Sequence, residues 1–347
     1  MKIAHLTPSV TRFPPRGDQG RYRLVNLLIE GLSAKKHKVT LYAHKDSTTS
    51  AELISIDSLP LEGRSRIEKL KNVTLSTNLL ISRAYQDAKK YDVIHSHFND
   101  KHLMFNALVD VPTVVTQHWP ITEEMDHILS QANLKNLHIV PISKAQKKAN
   151  PKLPYTQVVY NGIEVDKFKF RPESGKYLAN LSRVMPEKGT RDAIKVANKA
   201  KLPLVIAGKS KHSDKARAYW PEVEKALIKS AYAKYRGMIP HKEVSNFLGH
   251  AKALIFPIKW EEPFGLVMIE AMATGTPVIA YGRGSVPEIV KDGVTGFIVN
   301  SVREMAKAVK KIDQIDRAAC RKHVEDNFSV QQMVEGYEKV YKSLKKK

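Results

Sequence analysis

Two carboxylates eight residues apart are the clearest chemical signal in this 347-residue sequence. Glu262 and Glu270 lie in WEEPFGLVMIEAMATGTPVIA, residues 260–280, where Glu270 is embedded in a predicted apolar helix. An ionised carboxylate among apolar neighbours is costly without a partner, and a solvent-facing helix would carry more polar residues. Carboxylates suit hydroxyl-rich ligands, and the amides at a helix start suit a phosphate. The residues expected to contact a ligand at this helix start are Phe264, Gly265, Leu266 and Val267.

Two cations, Arg183 and Lys188, lie in a second segment of interest, NLSRVMPEKGTRDAI. This segment ends a predicted strand and opens a helix, which places both cations at the crevice of a parallel sheet. The alternative is a pair of solvated cations, because the chain holds 57 lysine and arginine residues. No Asp-x-Asp motif is present in the sequence, so we expect chemistry that needs no metal.

A loop rich in proline and glycine, TRFPPRGDQGRYRL, follows the first predicted strand. Gly17 and Gly20 would let the backbone reach a phosphate or a sugar, with Arg21 near the start of the next helix. A plain surface loop is the alternative interpretation of the same residues.

Histidines follow two further strands of the first half of the chain. His118 closes the strand TVVTQH, where the strand opens into the crevice, although a lone histidine is as often structural. The segment YDVIHSHFNDKH contains His95, His97 and His102. A structural use of these three is favoured over metal binding, because no carboxylate is fixed near them in the sequence.

Short runs rich in Val, Ile and Leu alternate with longer amphipathic stretches, which is typical of parallel sheets covered by helices. The turn-rich segment YNGIEVDKFKFRPESG separates two such doubly wound α/β units. One predicted helical stripe consists of Leu24, Leu27, Leu28 and Leu32, and another of Leu75, Leu79 and Ala84. The predicted strands cover residues 2–7, 39–43, 92–95, 113–116, 138–142 and 157–160, and then 177–181, 204–207, 253–256, 277–280 and 297–299.

The Glu-x7-Glu spacing and the Arg-x4-Lys-Gly pattern resemble those of glycosyltransferase family 4, and the resemblance extends over nearly the whole chain. It implies a GT-B fold, in which two facing Rossmann-like domains of doubly wound parallel sheets flank a cleft. It further implies transfer of a hexose-type sugar, with retention, from a UDP- or GDP-linked donor. The implied acceptor is a saccharide or a lipid-linked glycan, and no cofactor is implied.

The resemblance also implies roles for individual residues. Glu262 would hold hydroxyls of the donor sugar, Glu270 the ribose, and Arg183 with Lys188 the donor diphosphate. His118 matches a histidine near the donor sugar and the reacting centre, and we expect it to contact the sugar rather than act as a general base.

The resemblance divides the chain into three parts. Residues 1–165 would form the acceptor domain and residues 166–325 the nucleotide-sugar domain, while a helix at 326–347 would pack back on the first domain. The glycine loop shares Pro14, Pro15 and Gly20 with the family pattern, but Asp18 and Gln19 stand where tyrosine and glycine are common.

The basic composition raises other partners. A formal net charge of +22 is compatible with nucleic-acid binding, but the basic segments lack interleaved aromatic residues, so no nucleic-acid partner is expected. Basic clusters at residues 62–71 and 143–152 predict contact with an anionic membrane, with solvated lysines as the alternative. A nucleotide-sugar epimerase of a related two-domain fold is the alternative enzyme class.

Composition also predicts the compartment. The single cysteine, Cys320, excludes a disulfide framework, as expected in a reducing compartment. The N-terminus does not resemble a signal peptide, and no apolar run approaches the length that crosses a bilayer. We therefore expect a cytoplasmic protein, with any membrane contact peripheral and at the inner face.

Overall fold

The chain divides into two compact units. The computed structural model describes residues 1–17, 19–57, 62–63, 65–98, 100–131 and 135–345. Unit 1 comprises Met1–Gly162 and Val330–Lys347, and unit 2 comprises Ile163–Ser329. Asp18 of the glycine loop and Arg64 of the first basic cluster lie outside the described residues.

Unit 1 contains one sheet of six parallel strands. They are β1 (Lys2–Leu6), β2 (Lys38–Tyr42), β3 (Glu52–Ile54), β4 (Val93–Ser96), β5 (Thr113–Gln117) and β6 (Leu137–Pro141). Their order across the sheet is β3-β2-β1-β4-β5-β6. The direction of strand addition reverses between β1 and β4, which is where ligands bind in open parallel sheets.

The helices of unit 1 cover the sheet, and they test both predicted stripes. They are α1 (Gly20–Ala34), α2 (Arg66–Gln86), α3 (Glu123–Gln131) and α4 (Lys144–Ala149). The stripe on α1 is confirmed, since Leu24, Leu28 and Leu32 are buried. The stripe on α2 is confirmed at Ala84, which is buried, and is wrong at Leu75 and Leu79, which are exposed. Leu80 and Ile81 pack against the sheet with Ala84, and a shift of one residue turns a helix by about 100°.

Unit 2 repeats the architecture of unit 1. Its strands are β7 (Tyr177–Leu181), β8 (Leu204–Ala207), β9 (Ala233–Gly237), β10 (Ala251–Phe256), β11 (Val278–Tyr281) and β12 (Gly296–Val299). Their order is β12-β11-β10-β7-β8-β9, and every pair is parallel. The reversal lies between β10 and β7. The helices are α5 (Thr190–Ala200), α6 (Asp214–Ile228), α7 (His241–Gly249), α8 (Leu266–Ala273), α9 (Val286–Ile289), α10 (Val302–Lys311) and α11 (Arg317–Asn327).

The last helix, α12 (Val330–Lys345), returns to unit 1 and packs on α1. Its apolar face enters the same buried cluster as Leu28 and Leu32 of α1. The buried residues of α12 are Met333, Val334, Tyr337, Val340 and Tyr341. The core of unit 1 is therefore assembled from both ends of the chain.

Three strand assignments differ between sequence and structure. The strand predicted at residues 157–160 is wrong, because this segment contacts β6 through single bonds such as Val159 N to Pro141 O (3.1 Å) and forms no strand. β3 and β9 were not predicted, and both are edge strands. Lys234 and Arg236 on β9 are exposed, and charged side chains on an edge mask a strand signal while they discourage unwanted pairing.

Candidate functional site

The segments that follow β7 and β10 meet at the carboxyl edge of the unit 2 sheet. The backbone N–H of Lys259 donates to the carbonyl of Glu187 over 2.8 Å. Gly189 has a φ of +68°, and a Cβ there would lie 1.9 Å from the carbonyl oxygen of Pro257. Only glycine permits this approach, which explains the glycine after Lys188.

Lys188 and Glu262 form an ion pair at this edge. The Lys188 Nζ donates to the Glu262 Oε2 over 2.5 Å, and the two side chains are only 11% and 9% exposed. The indole Nε1 of Trp260 donates to the same oxygen over 2.8 Å, and the Lys188 ammonium lies 4.9 Å from the centre of the Trp260 ring. Two residues that the sequence predicts in one site are thus in direct contact, and Trp260 contacts both.

Arg183 lies five residues before Lys188 and, unlike Lys188, forms no ion pair with a described residue. Its partly buried guanidinium makes no hydrogen bond or ion pair with any described residue. The hydroxyls of Ser182 and Thr190, which flank the segment, are buried and have no partner among the described residues. An unpaired, partly exposed guanidinium suits an anionic group with several acceptor oxygens.

Helix α8 begins directly after this site. Gly265 is its N-cap with a φ of +79°, and no side chain caps the first amides. Leu266 and Val267 are partly exposed there, so their backbone N–H groups can reach a ligand. The Phe264 side chain is buried and packs against Phe328, so Phe264 can contribute to a ligand only through its backbone.

Glu270 lies on the accessible face of α8, one turn beyond Leu266 and Val267. Its neighbours Ile269 and Ala271 are buried. Its carboxylate lies 3.9 Å from the Nε2 of His241, at the start of α7. The accessible face of α8 therefore combines free amides at its start with one carboxylate along its body.

Unit 1 has its own group of residues at the reversal of its sheet. Gly20 opens α1, and the Arg21 guanidinium lies 4.4 Å from the centre of the Tyr22 ring. His118 follows β5, and burial together with the Arg21 charge lowers its pKa to about 3. The pKa of His97 is lowered first by burial and least by the Arg21 charge.

His97 links His118 to the interior of unit 1. The Nδ1 of His97 lies 3.3 Å from the Nε2 of His118, and its own Nε2 lies 3.0 Å from the Nδ1 of His5. His5 and His97 are fully buried, and burial lowers the pKa of both. His5 and His95 are paired across β1 and β4, which places all these rings on one face of the sheet.

His95 bonds to hydroxyl groups instead. Its Nε2 lies 2.8 Å from the Thr116 Oγ1, and its Nδ1 lies 2.7 Å from the Tyr341 Oη. The Tyr337 hydroxyl lies 2.6 Å from the same Thr116 oxygen. The hydroxyls of the two tyrosines of α12 thus complete a buried polar network.

The nitrogens of His5, His95 and His97 lie within 4.8 Å of one another, and they are the one group of three potential metal ligands among the described residues. Both nitrogens of His95 already bond to hydroxyls, and no carboxylate joins the group. Its chemistry fits a hydrogen-bonded support better than a cation site, since metal-bound imidazoles usually have carboxylate or carbonyl neighbours.

The structure therefore brings Lys188 and Glu262 into contact and places Arg183 and the start of α8 along the same sheet edge. Gly20 and His118 belong to unit 1 and form a separate group there. Sequence reasoning missed Trp260 and the unpaired hydroxyls of Ser182 and Thr190, although each lies within two residues of a predicted site residue. It also missed His5, because a single histidine inside a predicted strand does not indicate a functional site.

Comparisons with known protein families match both halves of the chain. The model of the Glycosyltransferase Family 4 matches residues 22–167, and the model of the Glycosyl transferases group 1 matches residues 163–326. Nothing in the comparisons supports the epimerase alternative.

Individual relatives match parts of the chain. An uncharacterized 41.2 kDa protein in the cps region of Klebsiella pneumoniae is 33% identical over 159 residues, which cover 44% of this chain and 41% of that protein. The D-inositol 3-phosphate glycosyltransferase of Corynebacterium aurimucosum is 25% identical over 306 residues. This alignment covers 75% of this chain and 72% of that protein. The chain spans about half the length of the first curated relatives that it matches.

A solved structure of HepE from Anabaena, in complex with UDP and glucose, has the same fold. It superposes with a TM-score of 0.75 at 17% sequence identity. The superposition covers 99% of this chain and 100% of the HepE chain. The fold prediction of two Rossmann-like parallel-sheet units is confirmed.

Proposed function

The chain belongs to the glycosyltransferases of the family 4 type, and we propose that it moves a hexose-type sugar from a nucleoside diphosphate donor to a hydroxyl acceptor. The acceptor would be a saccharide or a lipid-linked glycan, and the configuration at the anomeric carbon would be retained. The HepE structure, which holds UDP and glucose, supports a nucleotide-sugar donor.

The observation that carries this proposal is the Lys188–Glu262 pair beside the unpaired Arg183. A leaving nucleoside diphosphate gains negative charge as its bond to the sugar breaks, and fixed cations stabilise that charge. Arg183 and Lys188 would bind the diphosphate. These groups supply the stabilisation that a metal supplies elsewhere, so we propose transfer without a metal.

The remaining residues would orient the donor. Glu262, released from Lys188 when the diphosphate binds, would accept hydrogen bonds from sugar hydroxyls, while Trp260 keeps its carboxylate in place. Glu270 would accept bonds from the ribose, and the amides of Leu266 and Val267 would face the donor phosphate or sugar. In the transfer step the anomeric carbon exchanges its bond to the phosphate oxygen for one to the acceptor oxygen, and the leaving phosphate takes the acceptor proton.

The test is turnover of purified protein with a panel of UDP-, GDP- and ADP-sugars and candidate acceptors, in the presence of a chelator. A donor that binds also raises the midpoint of thermal unfolding, which identifies it before an acceptor is known. Arg183→Ala should lower turnover by about two orders of magnitude, the loss typical of one preorganised charge donor.

The matched control is Arg217→Ala, since Arg217 is an exposed cation of unit 2 that pairs with Asp214. Its turnover should equal that of the parent. Parental turnover in Arg183→Ala, or isomerisation of the donor without transfer, would overturn the assignment.

We also propose that α2 places unit 1 on an anionic membrane that carries a lipid-linked acceptor. Four large aliphatic side chains of this helix are exposed, at 59–70% each, and Lys69 and Lys71 are exposed beside them. Apolar residues next to basic ones fit the interface of an anionic bilayer. No helix among the described residues is long and apolar enough to span a membrane. The four side chains are Ile67, Leu70, Leu75 and Leu79.

Vesicle flotation tests this surface. The double variant Leu75→Gln/Leu79→Gln should bind phosphatidylglycerol vesicles at least about tenfold more weakly, because burying one leucine contributes about 1.5–3 kcal/mol and tenfold is about 1.4 kcal/mol. Ile228→Gln is the control, since Ile228 is 81% exposed but lies in unit 2. Equal binding to neutral and anionic vesicles at low salt would remove the membrane from the proposal.

A further inference from the structure

Three imidazole rings form a continuous chain from the core of unit 1 to the candidate site residue His118. His5 and His97 are joined by a 3.0 Å contact between Nδ1 and Nε2, and His97 and His118 by a 3.3 Å contact between Nδ1 and Nε2. The ring planes of His5 and His97 are 14° apart and their centres 5.3 Å apart, so the two rings are nearly coplanar and meet nitrogen to nitrogen. The chain ends outward, because His118 is partly exposed and its Nδ1 has no partner among the described residues.

All three rings are held neutral. Burial lowers the pKa of His5 and of His118 to about 3, and it lowers that of His97 well below the ordinary range. The positive charge of Arg21 on α1 also lowers the pKa of His97 and of His118. A neutral imidazole has one N–H and one bare nitrogen, so each contact in the chain must join a donor to an acceptor.

The inner end of the chain decides which nitrogen carries each proton. The Nε2 of His5 is buried without a partner. A buried N–H without an acceptor is rarer in proteins than an unfilled acceptor, so the proton of His5 belongs on Nδ1. His5 then donates to the Nε2 of His97, His97 donates from Nδ1 to the Nε2 of His118, and the proton of His118 must lie on Nδ1.

We propose that His5 and His97 are positioning residues that fix the tautomer of His118, so that His118 presents its Nδ1–H to the substrate as a hydrogen-bond donor. Its Nε2 is occupied by the bond from His97, so His118 has no bare nitrogen with which to accept a proton from the acceptor hydroxyl. The group it binds is an oxygen with a free lone pair, such as a sugar hydroxyl. This inference rests on the proposed function for the identity of that substrate, but the tautomers themselves do not depend on it.

Long-range proton–nitrogen spectra of the ¹⁵N-labelled wild-type protein test the chain directly, since they distinguish protonated from bare ring nitrogens. His5, His97 and His118 should each show a protonated Nδ1 and a bare Nε2. Their signals should not move between about pH 5.5 and 8, where an ordinary histidine titrates. A His118 that carries its proton on Nε2, or that titrates in this range, would overturn the proposal, as would stoichiometric zinc in the purified protein.

Two variants of His5 extend the test. The side-chain nitrogen of asparagine can occupy the position of a histidine Nδ1, so His5→Asn should keep the tautomers of His97 and His118. His5→Leu removes the first donor, and His118 should then shift wholly or partly to the Nε2–H form. His102→Leu is the control, since His102 is equally buried but bonds to Ser96 outside the chain.

Activity provides the second readout. His5→Leu should lower kcat/KM by up to about tenfold, the value of one hydrogen bond to the substrate, while His5→Asn and His102→Leu should retain the parental value. If the wild-type spectra agree but no transferase activity is found, the proposed function fails and the tautomer chain stands. If activity is found and His5→Leu leaves the His118 signal unchanged, the chain fails and the function stands.

Discussion

The candidate residues of unit 2 are mostly charged, whereas the side chains behind His118 on the inner side of unit 1 are neutral rings and hydroxyls. In unit 2 an ion pair, an unpaired arginine and a carboxylate lie along one sheet edge. In unit 1 the residues behind His118 are buried histidines bonded to one another, next to a network of threonine and tyrosine hydroxyls. The candidate site of unit 2 therefore consists of charged side chains, and the residues behind His118 are neutral groups that hydrogen bonds hold in a fixed orientation.

Their surfaces differ as well. Nine of the twelve exposed large hydrophobic side chains among the described residues belong to unit 1, and four of these nine lie on α2. Scattered exposed apolar residues are normal, but four on one helix require a reason. This difference agrees with the membrane contact proposed for α2 and with the charged donor proposed for unit 2.

Acid should destabilise unit 1 before unit 2, and this is the largest effect we expect. Burial lowers the pKa of His5, His97 and His118, so below about pH 6.5 these three histidines bind protons in the unfolded chain before they do so in folded unit 1. The stability that these rings contribute is fully present above the unfolded pKa of about 6.5 and is lost as the pH falls below it. Each ring costs about 1.4 kcal/mol per pH unit below that value, until its folded pKa is reached.

The three tryptophans allow each unit to be followed separately. Trp119 lies in unit 1, and Trp220 and Trp260 lie in unit 2. With fluorinated tryptophan, the Trp119 resonance should show a lower unfolding midpoint at about pH 5 than at about pH 7.5, with a smaller change for the other two. Equal shifts in all three resonances would contradict the contrast in charge between the units.

Removing one member of the ion pair in unit 2 should have the next largest effect. Lys188→Met leaves the carboxylate of Glu262 buried with Trp260 as its remaining donor, and breaking a buried pair costs about 3 kcal/mol. Adding Glu262→Gln should recover much of this loss, because the uncompensated charge is then absent. Urea unfolding followed at Trp220 measures both variants.

The control for this pair is Lys322→Met, which breaks the exposed contact between Lys322 and Asp326. It should change the free energy of unfolding by less than about 0.5 kcal/mol. A double variant as unstable as Lys188→Met would show that Lys188 acts through packing and not through its charge.

The smallest expected effect concerns the exposed face of α2. Leu79→Ala should change the free energy of unfolding of unit 1 by less than about 0.5 kcal/mol, since its side chain is 59% exposed. Leu80→Ala, one residue further along, should cost about 2–5 kcal/mol because Leu80 is fully buried. A large loss in Leu79→Ala would mean that this leucine serves the fold and not an external surface.

The sequence predicted those parts of the molecule that depend on local order. Central strands are buried on both faces and read as apolar runs, and the residues that follow them fall at the carboxyl edge of the sheet, as Arg183 and Lys188 do. The sequence did not predict the edge strands β3 and β9. β3 is only three residues long, and in β9 exposed charged residues alternate with partly buried ones.

What the sequence did not predict depends on residues that are distant in the chain. His5 and His97 are 92 residues apart, and His95 meets Tyr341 across 246 residues. The periodicity of the sequence does not indicate such contacts. Each of these residues occupies a buried position of its strand or helix, and an apolar side chain at that position would give the same local pattern. The error on α2 has a different source, since both of its faces carry leucine and a stripe can be placed on either.

The return of α12 to unit 1 sets the order in which the protein can be completed during synthesis. Five residues of this helix belong to the main core of unit 1, and two of them supply the hydroxyls bonded to Thr116 and His95. The ribosome therefore releases the whole of unit 2 before unit 1 can close its core. The unit that is made first is finished last, and until then the face of α1 that α12 covers is available to chaperones.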